Sequence, residues 1–172
     1  MESMLFRSEG ASSAGHDDYA RIEHLLLEML DAVRAEVTAA EPAGALRDFV
    51  RAHVRWRLEH LDAAEVFDVV LGDRARVNLL PAEHRLRIRS LKRLYLEELR
   101  RILREGQRKG VFSFGDLRIT AFAIASLCAS AHGWYDPDGP LTPAQVGAMY
   151  ADYVAGMVHA PPPSACAPRD GR

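Results

Sequence analysis

Residues 116–134 read Asp-Leu-Arg-Ile-Thr-Ala-Phe-Ala-Ile-Ala-Ser-Leu-Cys-Ala-Ser-Ala-His-Gly-Trp, and this stretch decides the fold class. Leu117, Ile119, Phe122, Ile124, Leu127 and Cys128 fall on every side of a helical wheel. A helix with no polar face has to be covered all round, by its own subunit or by a partner. Its most apolar part, Ile119 to Ala131, spans about 13 residues, well short of the ~20 that cross a bilayer. The stretch is a buried helix, the fifth of six.

Outward from it the same period continues. Downstream, Thr142-Pro143-Ala144-Gln145 is a capping box with proline at the first helical position. It opens a sixth helix over about 142–159 with Val146, Met149, Tyr150, Tyr153, Val154 and Met157 on one broad face. Upstream, Pro81 opens a long fourth helix over about 81–108, and Gly110 closes it. Its stripe runs Ile88, Leu91, Leu94, Tyr95, Leu99, Ile102, Leu103. A short third helix is expected at about 62–71 and a second at about 43–60. The second carries Leu46, Phe49, Val50, His53, Val54 and Arg57 on one line, with Trp56 off it. The first spans about 17–39, capped by Asp17 or Asp18. Residues 1–16 and the Pro-rich 160–172 show no sustained period and are expected to be disordered flanks of one helical domain over 17–159. No stretch alternates as a half-buried strand does, so the class is all-α, a six-helix bundle.

Composition narrows the function. In 172 residues, 48% are hydrophobic and 27% charged, enough for one cored domain. Lys plus Arg number 22 against 24 Asp plus Glu, a net charge of −2 that gives no overall pull on nucleic acid or lipid. The basic segment from Arg85 to Lys109 has Glu97, Glu98 and Glu105 interleaved at pairing distances and reads as a solvated face. Two cysteines, Cys128 and Cys166, give no disulfide framework and fit a reducing, cytoplasmic setting. The N-terminus lacks the continuous apolar run of a secretory signal.

No His-Glu-x-x-His motif occurs, and His53 and His60 stand two turns apart, so no metal site or cofactor is expected. There is no nucleophile elbow, Walker loop or dinucleotide glycine pattern, and acidic residues are scarce on the core faces. The expectation is that the protein is not an enzyme.

Two further stretches carry a resemblance. Residues 103–112, Leu-Arg-Glu-Gly-Gln-Arg-Lys-Gly-Val-Phe, followed by Asp116-Leu117-Arg118, are one; residues 134–142, Trp-Tyr-Asp-Pro-Asp-Gly-Pro-Leu-Thr, are the other. With Leu46 to Val54 and Tyr150-Ala151-Asp152, they resemble the C-terminal half of TetR-family transcriptional regulators, from about Tyr19 to His159. The likeness is greatest to the branch associated with fatty-acyl and steroid-derived CoA thioesters.

The resemblance implies a ligand-sensing and dimerisation domain that binds a small lipophilic effector, with acyl-CoA-like thioesters as the expected class. It implies that the last two helices pack against a symmetry mate while the others wall a cavity. Trp56, Phe67, Val70, Leu91, Tyr95, Phe122 and Ser126 are the expected lining, with Arg87 or Arg89 near an anionic group. Leu127, Ala131, Val146, Met149, Tyr150, Tyr153 and Met157 are the expected dimer contacts. The partner is a second copy or a full-length relative; no membrane partner is expected. Relatives read DNA through a helix-turn-helix module. Phe6 to Gly15 is too short and too rich in Ser and Gly for its recognition helix, so DNA is expected to be reached only through a module that these residues do not supply. Two other functions fit an all-α bundle: an interaction module without a cavity, and a small helical-bundle enzyme.

Overall fold

The computed structural model describes residues 9–63 and 81–159, with side chains from Tyr19 onward. Among these residues the architecture is all-α: α1 (Glu9–Glu36), α2 (Pro42–Glu59), α3 (Ala82–Arg108), α4 (Leu117–Ala129), a 3-10 turn (Ser130–Gly133) and α5 (Pro143–His159). The expected third helix, with Phe67 and Val70, falls mostly on residues 64–80, outside the described residues, as do residues 1–8 and 160–172.

Local chemistry sets the ends. Asp116 caps α4, its carboxylate accepting from the N–H of Arg118 at 2.8 Å and of Ile119 at 2.9 Å, and those two bonds hold its carboxyl below the usual range. Thr142 and Gln145 close the capping box of α5: the Thr142 N–H donates to Gln145 Oε1 at 2.9 Å, and the Gln145 N–H donates to Thr142 Oγ1 at 3.3 Å. No side-chain cap marks the start of α3, where Pro81 supplies the fixed φ. The first helix begins at Glu9, not at Asp17 or Asp18, so Ser12, Ser13 and Gly15 are helical. A formed helix gains one bond for each residue it adds, which lets it run through weak formers.

The core has α2 at its centre. Phe49, Val50 and Val54 are fully buried, and Ala45, Ala52, Trp56 and Leu58 are buried beside them. Every other described helix touches α2, and α5 does so most extensively. That last contact is close because Gly147 has no side chain: a Cβ there would stand 3.1 Å from the Arg51 carbonyl oxygen. The most extensive burial, expected of residues 116–134, therefore belongs to α2, which keeps a single open side along Arg51, Arg55 and Glu59. On α4 only Ala121, Ile124 and Cys128 are buried, at three- and four-residue spacing, and the opposite side is open. Leu94, expected in the stripe of the fourth helix, is also exposed, whereas Ile88, Leu91, Tyr95, Leu99, Ile102 and Leu103 are inside. The basic face of α3 is solvated and paired, Arg101 with Glu98 at 2.7 Å and Arg108 with Glu105 at 2.6 Å.

Two glycines make the reversal between α3 and α4. Gly110 sits at φ +70°, the left-handed conformation that ends many helices. Gly106 acts differently. It lies within α3, and the ring of buried Phe112 rests against its Cα so closely that a Cβ would be 1.9 Å from a ring carbon. Gly106→Ala should therefore lower unfolding stability in urea by about 1–3 kcal/mol through overpacking, and Gly110→Ala by about 1–2 kcal/mol through backbone strain. An unchanged midpoint for Gly106→Ala would show that Phe112 is not seated there.

Candidate functional site

The interior of the bundle is apolar except along one line. His53 and Arg57, one turn apart on α2, are each only 3% exposed and are the buried polar and charged residues among those described. The Tyr95 hydroxyl, brought by α3, is hydrogen bonded to His53 Nδ1 at 2.5 Å, with the two rings edge-on at 5.2 Å. Arg57 Nη2 donates to the Ala129 carbonyl at 2.9 Å and stands 3.0 Å from His132 Nδ1, which is itself 2.9 Å from the same carbonyl. The row thus runs from α3 through α2 to the C-terminal end of α4.

Burial, and secondarily the Arg57 charge, pushes the imidazole of His53 down to about 3, so it is neutral at ordinary pH. Burial raises the Tyr95 hydroxyl well above its ordinary value, with Cys128 adding to the effect and Arg57 opposing it. The Cys128 thiol is pushed up to about 12 by burial, which makes it a poor nucleophile. The row offers neutral hydrogen-bonding groups and one fixed positive charge; a general base or activated thiol is not among them. No group of His, Cys, Asp and Glu among the described residues is arranged to hold a metal. No helix among them is long and apolar enough to cross a membrane.

Of the expected cavity residues, Trp56, Leu91 and Tyr95 lie in this interior, Trp56 three residues after His53 and Leu91 one turn before Tyr95. Trp56 stacks on His60 at 4.5 Å. Phe122 and Ser126 are instead on the open side of α4, Phe122 being 66% exposed, because Ala121, Ile124 and Cys128 take the inward positions. Arg87 is exposed and donates from Nε to Glu23 Oε1 at 2.6 Å, fastening α3 to α1, and Arg89 is exposed too. Close to that pair, Tyr19 stacks on His84 at 3.6 Å.

The expected dimer residues divide in the same way. Met149, Tyr153 and Met157 are exposed at one-turn intervals along α5, Tyr153 at 60%. Ala131 and Val146 are sealed inside their own subunit, and Leu127 is half-buried. Tyr150 is mostly buried and accepts from Trp134 Nε1 at 2.9 Å, the two rings stacked at 6.3 Å. Ile119, Phe122 and Trp134, which the dimer expectation omitted, are exposed as well.

Sequence reasoning also missed His53 and Arg57 as site residues. Both stood on the apolar line of the second helix, and a polar residue on a core line was the available signal.

Comparisons with known proteins agree with this architecture. The family profile described as tetracyclin repressor-like, C-terminal domain, matches residues 39–158, more than half of the chain. Curated proteins give no match. Among solved structures, the TetR family transcriptional regulator PfmR from Thermus thermophilus is 28% identical, with a TM-score of 0.70 over 81% of this chain and 73% of that one. A bacterial regulatory protein in the tetR family from Rhodococcus RHA1 is 24% identical, with a TM-score of 0.72 over 83% and 73%. AibR, solved in complex with isovaleryl coenzyme A and operator DNA, shares the fold at 20% identity and a TM-score of 0.68 over 86% and 75%. The chain belongs to the TetR family, whose members are transcriptional regulators and not enzymes, and residues 39–158 form its tetracyclin repressor-like C-terminal domain.

Proposed function

We propose that this domain senses a small lipophilic effector in the bundle interior and joins two regulator subunits through the outer faces of α4 and α5. The observation that carries the first half is the Tyr95, His53 and Arg57 row inside an otherwise apolar core. Buried polar groups are costly unless they are bonded or used, and an apolar interior with few placed polar groups is the usual make-up of a small-molecule site. The proposed effector is an acyl-CoA-like thioester, whose carbonyl and apolar tail suit such an interior. AibR, similar in fold, is a complex with isovaleryl coenzyme A, and the similarly folded KstR2 of Mycobacterium tuberculosis is a ketosteroid transcriptional regulator.

Ile119, Phe122, Met149, Tyr153 and Met157 support the second half. They are large apolar side chains exposed on the two helices that turn their other sides to α2. Large apolar side chains exposed along a helix face mark an association surface, and TetR-family regulators typically act as dimers. The occupant proposed is a second copy of the chain; a longer relative would use the same face. The described residues leave operator contact to a helix-turn-helix module, and the working compartment of such a regulator is the cytoplasm.

Isovaleryl coenzyme A and longer acyl-CoA thioesters, added at millimolar concentration, should raise the melting temperature of the chain, as a ligand of the native state must. No shift with any of them would remove the thioester assignment. Phe122→Asp combined with Tyr153→Asp should leave the fold intact by circular dichroism and convert a dimer to a monomer in sedimentation velocity; a persistent dimer would place the interface elsewhere.

The neutral state of His53 gives a pH signature. In the unfolded chain it titrates near 6.5 and in the folded chain near 3, so between these values the unfolded state holds the extra proton. Its contribution is complete above about pH 6.5 and declines as the pH falls toward 3. The melting temperature should drop between about pH 7.5 and about pH 5, and His53→Leu should flatten that slope. An equal slope in the variant would assign the loss to other groups.

A further inference from the structure

The buried polar row and the outer apolar face meet at one place, the C-terminal end of α4. The last carbonyls of a helix have no partner within it. Here the Ser130 hydroxyl donates to the Leu127 carbonyl at 2.9 Å from the surface, and Arg57 Nη2 donates to the Ala129 carbonyl at 2.9 Å from within. A positive charge suits the negative end of the helix dipole, and at 3% exposure this one is little screened by salt. The same nitrogen stands 3.0 Å from His132 Nδ1. His132 Nδ1 is also 2.9 Å from the Ala129 carbonyl, so guanidinium, carbonyl and imidazole meet in one cluster that holds the ring in place.

The 3-10 turn that contains His132 ends at Gly133, and the next residue, Trp134, donates to the Tyr150 hydroxyl of α5. Tyr150 lies beside Met149 and one turn before Tyr153 on the exposed face. At the other end of the row, Arg57 is four residues from His53, which Tyr95 holds. A displacement of α3 against α2 at Tyr95 therefore bears on the guanidinium that pins the end of α4.

We propose that Arg57 is a positioning residue that couples the interior to the dimer face, by fixing the last turn of α4, the 3-10 turn and Trp134. This rests on the reading of the outer face as a dimer surface. Its mechanical part is separated from that reading by measuring Trp134 also in the Phe122→Asp, Tyr153→Asp background, where the dimer face is already open.

The chain has two tryptophans, so Trp56→Phe leaves Trp134 as the sole reporter. In that background Arg57→Met keeps the apolar stem and removes the fork. It should raise acrylamide quenching of Trp134 at least twofold and weaken the dimer dissociation constant, measured by sedimentation, at least tenfold. Arg57→Lys, which keeps the charge and loses the second contact, should fall between. Val33→Ala, a truncation in the core face of α1, should lower the melting temperature and leave both readouts at the parent values. Should Arg57→Met fail to fold, His132→Leu is measured and should move both readouts in the same direction.

Parent-like quenching in Arg57→Met, or in His132→Leu when that variant is used, would overturn the proposal, as would Val33→Ala moving Trp134 equally. A parent chain that sediments as a monomer would refute the dimer reading, and Trp134 quenching would then decide the role of Arg57 within the subunit.

Discussion

The architecture depends on α2 being the helix against which every other described helix packs. A central helix must be approached closely by its neighbours, and at α5 the approach needs Gly147, where backbone rather than side chain meets the Arg51 carbonyl. On the enclosed sides of α2, polar residues have no route to water. His53 and Arg57 are then obliged to find partners inside, Tyr95 from one side and the end of α4 from the other. The single row of polarity in the interior is a consequence of which helix occupies the middle.

The same constraint explains what α4 presents outward. It is the most apolar helix, yet its buried set is small, and Ile119 and Phe122 remain open. Hydrophobicity in a sequence says that a side chain avoids water and leaves unsaid whether its own subunit or another one shields it. α2 shows the reverse: with several arginines among its residues it is the better-buried helix, because long basic side chains such as Arg47 and Arg55 lay their stems along the protein and carry their charge to the surface.

Much of the fold was legible because it rests on local rules. Periodicity located the second, fourth, fifth and sixth helices, and Asp116, Thr142, Gln145 and Gly110 marked their ends through chemistry confined to a few residues. The start of α1 was not legible, since a helix that continues through Ser12, Ser13 and Gly15 follows cooperativity and not the strength of any cap. Gly106 is a seat for an aromatic ring, a relation set by where Phe112 folds back and not by any local pattern. For the site, apolar pattern identified Leu91 and Tyr95 as interior residues, whereas Trp56, off the apolar line of its helix, is buried too. The pattern misplaced Phe122 and Ser126 because a helix that is apolar on all sides gives no sign of which one faces in. Arg87 looked available to an anion, and its partner Glu23 is supplied by a helix distant in sequence.

The loop after α3 also stitches distant parts of the chain together. Phe112 is lodged against Gly106, the Ser113 N–H donates to the Val158 carbonyl at 2.7 Å, and Phe112 meets the His159 ring edge-on at 5.7 Å. The final turn of α5 is thereby clasped by residues from the middle of the chain and does not hang as a loose end. Fraying, which usually starts at terminal helices, is coupled here to prising an aromatic ring from its notch, so the end of α3, this loop and the end of α5 form one cooperative opening unit.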